Sequence, residues 1–210
     1  DCAQRLFYSK GYESTSVRDI VDEVGVAKGT FYYYFDSKQA ILEAMVDELV
    51  GQSVAVMHAI VADETLPVLE KWKQALQVVA PWKTERKAEM LAILNVMQMD
   101  ENTLLQYKVR TQTVRMASPE FARIIAQGVE EGVFDTEFVE DSAEIALSIM
   151  GALSDTFAGI LLKPDNYDNP AALAQRKITS VETAIERVLG APTGLLPLVD
   201  THTFAAWFEE

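Results

Sequence analysis

The sequence predicts an all-α fold in which three short helices precede a larger helical bundle. Apolar residues recur at the spacing of one helical face, as Val17, Ile20, Val21 and Val24 do. Short stretches that contain Gly, Pro or Asp separate the segments with this spacing, and such stretches commonly end helices. Alternating apolar and polar runs and Asn-Gly turns are missing, so strands have little support.

The first two helices have clear end signals. The first ends at Lys10-Gly11, because Gly readily adopts the left-handed conformation found at helix C-termini. Ser16 and Asp19 match a capping box at the start of the second helix, and Gly25 ends that helix. Two short helices joined by a tight turn at Gly25 predict a helix-turn-helix, a motif whose second helix can enter the DNA major groove.

The third and fourth helices follow almost directly. The third begins near Ala27 and ends near Tyr34 or Phe35, and the fourth runs from Ser37 to about Ala62. The fourth spans nearly 40 Å at about 1.5 Å per residue, so we expect it to be the only element that touches both domains. We expect the third helix to pack on the second through Phe31 and Phe35 against Ile20, Val21 and Val24. Further helix breaks are expected at residues 63–67, 81–84, 100–103, 117–119, 132–137, 163–170 and 190–197.

Composition indicates a cytoplasmic protein. No stretch approaches the roughly 18 uninterrupted apolar residues of a membrane span, and a signal peptide pattern is absent. The single cysteine, Cys2, cannot form an internal disulfide, which fits a reducing compartment. The chain does not begin with Met and Asp1 falls within a helical pattern, so we expect residues upstream of it.

The net charge of −14 argues against general nucleic-acid binding, since phosphate contacts need Lys and Arg. The acidity is concentrated after residue 46. Residues 1–46 hold five Lys and Arg against seven Asp and Glu, whereas residues 47–210 hold thirteen against twenty-five. Any DNA contact must therefore come from a few well-placed cations.

The N-terminal segments Gly11–Ile20 (GYESTSVRDI), Gly25–Phe35 (GVAKGTFYYYF) and Ser37-Lys38 resemble the N-terminal signature of the TetR family of transcriptional regulators. The resemblance covers about the first 46 residues. It implies a helix-turn-helix DNA-binding domain over residues 1–46 and an effector-binding and dimerisation domain over residues 47–190. Residues 191–210 then form a C-terminal tail that we expect to fold back onto the bundle, because it carries several large apolar side chains.

The DNA-binding residues are expected on the second and third helices. Gly29 permits close approach to the groove, and Thr30 suits a base edge or a thymine methyl group. Arg18 is the first candidate for a guanine contact, because it corresponds to a position that can reach a base in the family. Phosphate contacts are expected from hydroxyl and ammonium groups on Tyr32, Tyr33, Tyr34, Lys28 and Lys38.

Structural alternatives exist for several of these residues. Tyr33 could be partly buried, because tyrosines often lie in cores or interfaces. Lys28 and Lys38 could be solvated surface charges, and Arg18 could pair with Asp22 at helical spacing. Two departures from the family pattern predict either modest DNA affinity or help from a basic N-terminal arm upstream of this sequence. Ala27 replaces the usual side-chain cap of the third helix, and Asp36 places a negative charge near the DNA.

The larger domain is rich in Met and aromatic residues, which tolerate varied ligands. The same residues could equally form an ordinary core. Because the family holds an effector cavity in this domain, we expect a pocket for a small hydrophobic or aromatic ligand. A cationic ligand paired with Asp155 or Glu89 is a second possibility. The predicted pocket residues are Trp72, Met90, Leu94, Met97, Tyr107, Met150, Asp155 and Phe157.

A homodimer is expected through the last two long helices, about Ser142 to Leu162 and Ala171 to Leu189. The first of these is apolar nearly all round, so most of its sides must be buried. Two helices from each subunit would form a four-helix interface around a two-fold axis.

Catalytic chemistry has no support in the sequence. The nucleophile elbow, zinc-protease and phosphate-loop motifs are absent, as is Cys/His metal spacing, so no enzyme activity, metal or cofactor is expected. The expected function is a ligand-responsive repressor that binds palindromic double-stranded operator DNA as a homodimer, with no membrane partner. The alternatives are a constitutive helix-turn-helix DNA binder without a ligand and, more remotely, a helical small-molecule binder or enzyme that does not touch DNA.

Overall fold

In the computed structural model, residues 2–79, 91, 94–95, 97–199, 204 and 207–208 are described. Within these ranges the regular structure is entirely helical, as the sequence predicts. Short 3₁₀ turns lie at Asp100–Asn102 and Pro164–Asn166. The α-helices are α1 (Cys2–Lys10), α2 (Val17–Val24), α3 (Lys28–Tyr34), α4 (Lys38–Ala62), α5 (Val68–Val79), α6 (Thr103–Glu130), α7 (Val139–Leu162) and α8 (Pro170–Val188).

The predicted end signals of α2 are confirmed. The Ser16 amide donates to the Asp19 carboxylate at 2.7 Å, and the Asp19 amide donates to Ser16 Oγ at 3.1 Å. Both halves of the capping box are therefore present. Gly25 ends the helix with φ 76°, a left-handed conformation that favours glycine.

The third helix lacks a side-chain cap at Ala27, and Ser37 supplies one for α4. Ser37 Oγ accepts from the Ala40 amide at 3.1 Å. Helix α4 then continues for 25 residues, or about 38 Å, which matches the predicted length.

The expected break at residues 117–119 is wrong. Helix α6 continues through Pro119 for 28 residues. A proline inside a helix removes one backbone hydrogen bond and costs about 3 kcal/mol. Burial on both sides of the proline offsets this cost, because Ala117, Phe121, Ile124 and Ile125 are at most 1% exposed.

The main core lies in the bundle and joins α4, α5, α6, α7 and α8. Trp72 is at its centre and makes edge contacts with Phe121 and Phe134, at ring-centre distances of 5.6 Å and 6.3 Å. Other fully buried members include Met57, Ile125, Ala146, Ile185, Leu189 and Leu196.

A second core holds the N-terminal helices together. Phe31 packs with Ile20 and Val21, as expected, and Phe35 is partly buried beside them. Val24 does not join this core and is 48% exposed, because α2 ends one residue later. Leu105 of α6 is 1% exposed and belongs to the same core as Phe7, Tyr12 and Leu42.

The position of Leu105 corrects the expectation that α4 alone touches both domains. The start of α6 is embedded in the core of the N-terminal helices. Lys108 of α6 also forms an ion pair with Glu43 of α4 at 2.7 Å. Two chain segments therefore connect the helix-turn-helix to the bundle.

The C-terminal segment returns to α8 and α7. The Leu196 amide donates to the buried Glu186 carboxylate at 3.1 Å, and the Leu198 amide donates to Glu182 at 2.8 Å. Burial raises the pKa of Glu182, and the Glu186 charge adds to this rise, whereas the Leu198 amide lowers it. Trp207 is 4% exposed, and Phe208 meets Phe157 of α7 at a ring-centre distance of 5.8 Å.

Helices α4 and α7 are long and apolar enough to cross a membrane, judged by length and composition alone. Core helices of soluble proteins pass the same test. In α7, Ala143, Ala146, Leu147 and Ile160 are buried within the bundle, whereas most of the helix is not.

Candidate nucleic-acid interface

Helices α2 and α3 meet at a tight turn. The amides of Gly25 and Val26 both donate to the Val21 carbonyl, at 2.9 Å and 3.1 Å. Phe31 is 6% exposed and fixes α3 on the buried side chains of α2. This packing leaves the opposite face of α3 directed at solvent, the geometry that a groove-reading helix requires.

The exposed face of α3 is rich in aromatic and small residues. Tyr32 is 47% exposed, Tyr33 81% and Tyr34 71%, and the Tyr33 and Tyr34 rings meet edge to face at 4.9 Å. Partial burial of Tyr33 is therefore wrong for this chain. Gly29 and Thr30 are also exposed, and a Cβ added at Gly29 would have open space around it. A surface can thus approach the backbone of α3 closely at this point.

The side chains of Arg18 and Lys28 are accessible. The Arg18 side chain is 88% exposed and lies 3.5 Å from the Asp22 carboxylate. An exposed pair of this kind is weak, so Arg18 can exchange Asp22 for another acceptor. Lys28 is exposed with its ammonium 5.8 Å from the centre of the Tyr32 ring, and it joins none of the ion pairs among the described residues.

The Lys38 side chain is not a simple solvated charge. Its Nζ donates to the Tyr12 carbonyl at 2.7 Å and lies 3.5 Å from the Glu13 carbonyl. The same ammonium is 4.1 Å from the centre of the Tyr12 ring. Lys38 therefore holds the turn between α1 and α2, and sequence spacing carried no signal of this contact.

Acidic partners neutralise the other cations of the N-terminal helices. Lys10 lies 2.9 Å from Asp19, and Arg5 pairs with Glu23. Hydrogen bonds from Ser16 hold the pKa of Asp19 well below its usual range, and Lys10 adds to the effect. Ionised Asp19 thus stays available to cap α2, while Lys10 and Arg5 have acidic neighbours that compete with phosphate.

The predicted pocket residues do not come together at one place. Trp72 and Met150 pack in the main core, whereas Met97 packs on the core of the N-terminal helices. Leu94 is partly buried, and Met90 lies outside the described residues. Tyr107 is 61% exposed, so it does not line an enclosed pocket here.

Two other predicted pocket residues have protein partners. Asp155 forms an ion pair with Arg110 of α6 at 2.8 Å, and both side chains are about half exposed. Phe157 is partly buried against Phe208 of the tail. Neither contact was foreseen, because both partners are remote in sequence. Glu89, the other expected charge partner, lies outside the described residues.

Among the described residues, no group of three or more His, Cys, Asp or Glu is arranged so that it could hold a metal ion. One polar atom in the bundle is notable. The indole Nε1 of Trp72 is buried without a hydrogen-bond partner in the described structure. An unsatisfied buried donor of this kind costs about 1–3 kcal/mol.

Comparison with known proteins bears on the N-terminal segment most directly. Residues 1–45 match the family described as bacterial regulatory proteins, tetR family. An uncharacterized HTH-type transcriptional regulator of Lactococcus lactis is 52% identical over 44 residues, which are 21% of this chain and 22% of that protein. The chain spans between 16% and 47% of the length of this regulator and three Bacillus subtilis regulators.

Two longer similarities extend into the bundle. The fatty acid metabolism regulator protein of Bacillus subtilis is 22% identical over 171 residues, covering 80% of this chain and 84% of that protein. A crystal structure of a tetR-family regulatory protein from Rhodococcus RHA1 has a TM-score of 0.52 and 21% identity, covering 91% of this chain and 94% of that one. At this identity, the structural likeness shows a common fold.

Proposed function

We propose that the chain is a cytoplasmic transcriptional regulator that binds double-stranded operator DNA, because its first 45 residues match the tetR family of bacterial regulatory proteins. The observation that carries the proposal is the exposed face of α3. Three tyrosines, Lys28 and Thr30 face solvent there while Phe31 anchors the helix from below.

Each exposed group on α3 has a chemical use at DNA. Thr30 offers a hydroxyl and a methyl to base edges, and Gly29 lets the helix approach the groove floor. Tyrosine hydroxyls and the Lys28 ammonium suit phosphate oxygens. Arg18 on α2 adds a guanidinium that can contact guanine with two hydrogen bonds. The backbone amide of Lys38 lies at the start of α4, where it suits a phosphate oxygen.

We propose a homodimer that binds a palindromic operator. Support comes from α7, where Ile145 is 46% exposed and Ile149, Ala152 and Leu153 are partly or fully exposed near the same face. On α8, Val181 and Val188 are only partly buried where they pack against the main core. Pairing of these surfaces about a two-fold axis would present two α3 helices to half-sites about 34–36 Å apart.

We further propose that a small hydrophobic effector binds in the bundle and releases the DNA. The name of the Bacillus subtilis relative, a fatty acid metabolism regulator, supports an acyl ligand. The buried Trp72 Nε1 would gain a partner from a ligand that carries an acceptor, such as a carboxylate or ester. Binding would require the bundle to open, because Trp72 is 1% exposed.

A constitutive DNA binder without an effector is the second candidate. The dispersed predicted pocket residues favour it. One surface groove is lined by residues of α1, and another is lined by residues that include Leu69, Phe134 and Leu195. Neither groove contains a predicted pocket residue.

Selection from a random pool of DNA duplexes tests DNA binding first. The regulator should enrich a palindrome with two half-sites about one helical turn apart. Titration of the selected duplex with and without dodecanoate then separates the two candidates. Linkage requires dodecanoate and DNA to weaken each other by the same factor. If a palindrome is enriched but neither dodecanoate nor longer or aromatic acids change the DNA affinity, the constitutive binder is favoured. If no duplex is enriched, DNA binding is refuted.

A further inference from the structure

Tyr12, in the turn between α1 and α2, is bonded to a residue 90 positions away. Its amide donates to Asn102 Oδ1 at 3.0 Å. Asn102 is 0% exposed and Tyr12 is 5% exposed, so water cannot readily replace this bond. Asn102 lies in the 3₁₀ turn that leads directly into α6.

The same turn is held from the other side by α4. Lys38, the first residue of α4, donates to the Tyr12 carbonyl at 2.7 Å. The Tyr12 amide is thus bonded to the turn that precedes α6, and the Tyr12 carbonyl is bonded to the start of α4. Thr15 stiffens the turn, because its buried Oγ1 donates to the Gly11 carbonyl at 2.7 Å.

Packing follows the hydrogen bonds. Phe7 and Tyr12 meet edge to face at a ring-centre distance of 5.1 Å, and Leu105 is buried in the same core. The first turn of α6 is therefore fixed to the α1–α2 unit by a buried hydrogen bond and by apolar contact. A shift of α6 relative to α4 would pull the amide and the carbonyl of Tyr12 in different directions.

We propose that Asn102 is a positioning residue that fixes the orientation of the helix-turn-helix relative to the bundle, so that movement at the start of α6 changes DNA affinity. The proposal rests on the proposed DNA-binding function. It adds a second connection to the one through α4 and assigns that connection to one side chain. Loss of the Asn102 side chain leaves the buried Tyr12 amide unpaired, and the α1–α2 turn can then adopt several orientations.

Distance measurement between two spin labels tests the orientation without DNA. The labels are attached to Ser9→Cys on α1 and Lys73→Cys on α5, which are exposed positions, and Cys2→Ser removes the native cysteine. The labelled protein is diluted with unlabelled protein, so that distances within one chain are measured. Asn102→Ala should broaden or shift the distance distribution. Thr103→Ala is the matched control, because the Thr103 hydroxyl makes a local hydrogen bond, to the Asp100 carbonyl at 2.8 Å. A distribution for Asn102→Ala that matches the parent protein overturns the proposal.

Affinity for the duplex selected by the parent protein provides the functional measurement. We expect Asn102→Ala to weaken binding about tenfold, which corresponds to about 1.4 kcal/mol, and Thr103→Ala to bind as the parent does. Failure of the parent itself to bind any duplex would refute the proposed function, and the spin-label distances would still decide whether Asn102 fixes the orientation.

Hydrogen exchange on the unmodified protein keeps the proposal testable if Asn102→Ala does not fold. Addition of the selected duplex should slow exchange in residues 11–15 and also in residues 100–105, although neither segment lies on the exposed face of α3. Slower exchange in residues 11–15 with no change in residues 100–105 would show that the two segments are not coupled, and it would overturn the proposal.

Discussion

The Lys38 ammonium lies 2.7 Å from the Tyr12 carbonyl oxygen and 4.1 Å from the centre of the Tyr12 ring. One side chain at the start of α4 thereby meets both the backbone and the aromatic face of the α1–α2 turn. Lys28, on the exposed face of α3, has no comparable contact among the described residues. These two lysines have different surroundings, so their substitution should have different consequences.

Lys38→Ala should lower the free energy of unfolding by about 1.5–3 kcal/mol, the usual range for a hydrogen bond that involves a charged group. DNA affinity should fall with it, because the α1–α2 turn loses its anchor on α4. Urea denaturation at fixed protein concentration measures the stability change. Lys28→Ala is the control and should melt as the parent protein does; equal stability of both variants with the parent would contradict the anchoring role.

Lys28→Ala should weaken binding to all duplex sequences alike, because a phosphate contact carries no base information. Loss of one phosphate contact should reduce the slope of log affinity against log salt by about one unit. Titrations at several salt concentrations, with the selected duplex and with a scrambled one, measure both effects. An unchanged salt slope would place Lys28 away from the DNA backbone.

Arg18→Ala should cost about 1–3 kcal/mol of DNA binding and relax the preference at one base position. Because Asp22 competes for the Arg18 side chain at 3.5 Å, Asp22→Ala should instead leave affinity unchanged or increase it. Selection from a random pool with each variant reads out the base preference directly. An Arg18→Ala variant that enriches the same sequence as the parent would assign Arg18 to the surface ion pair alone.

Much of the N-terminal unit could be predicted from the sequence, because its determinants are local. The Ser16–Asp19 capping box, the glycine that ends α2 and the buried face with Phe31 all depend on residues a few positions apart. The exposure of the tyrosines follows from the same helical periodicity. The periodicity wrongly predicts that Val24 is buried, because the helix ends at this residue and its side chain does not join the core.

The contacts that cross the bundle could not be predicted, because no local pattern encodes them. The sequence around Asn102 predicts an ordinary loop, and the hydrogen bond between Asn102 and the Tyr12 amide depends on how α6 is placed against α1. Pro119 reads as a helix end, yet burial on both sides keeps α6 continuous. The ion pair of Asp155 with Arg110 could not be predicted for the same reason, since Arg110 is 45 positions earlier in the chain.

Asp19→Ala should make stability less dependent on pH in the acid range. The Ser16 hydrogen bonds and Lys10 lower the pKa of folded Asp19 below the value of about 3.9 expected in the unfolded chain. In the window between the two values the unfolded state binds more protons, so stability rises with pH. The contribution of Asp19 is therefore present above about pH 4 and is lost progressively at lower pH.

Urea denaturation at pH 7 and at steps below pH 4 measures this linkage. The stability difference between the parent and Asp19→Ala should be largest at pH 7 and shrink as the solution is acidified. Asp22→Ala removes a carboxylate from the same helix but no cap, so it should show a smaller difference. A difference that stays constant with pH would show that the ionised form of Asp19 is not what stabilises α2.

Leu105→Ala should reduce the free energy of unfolding by about 2–5 kcal/mol, the usual range for truncating a fully buried leucine. Leu105 is 1% exposed and lies among Phe7, Tyr12 and Leu42, although it belongs to α6. Leu104→Ala is the matched control, because Leu104 itself is only partly buried against the same core. The cavity left at position 105 opens beside Tyr12, so DNA affinity should fall together with stability. Urea denaturation of both variants, followed by titration with the selected duplex at a temperature where both remain folded, separates the two effects.

Equal stability of the Leu104 and Leu105 variants would mean that the N-terminal helices do not depend on α6 for their core, and a truncated chain that ends within α4 should then fold alone.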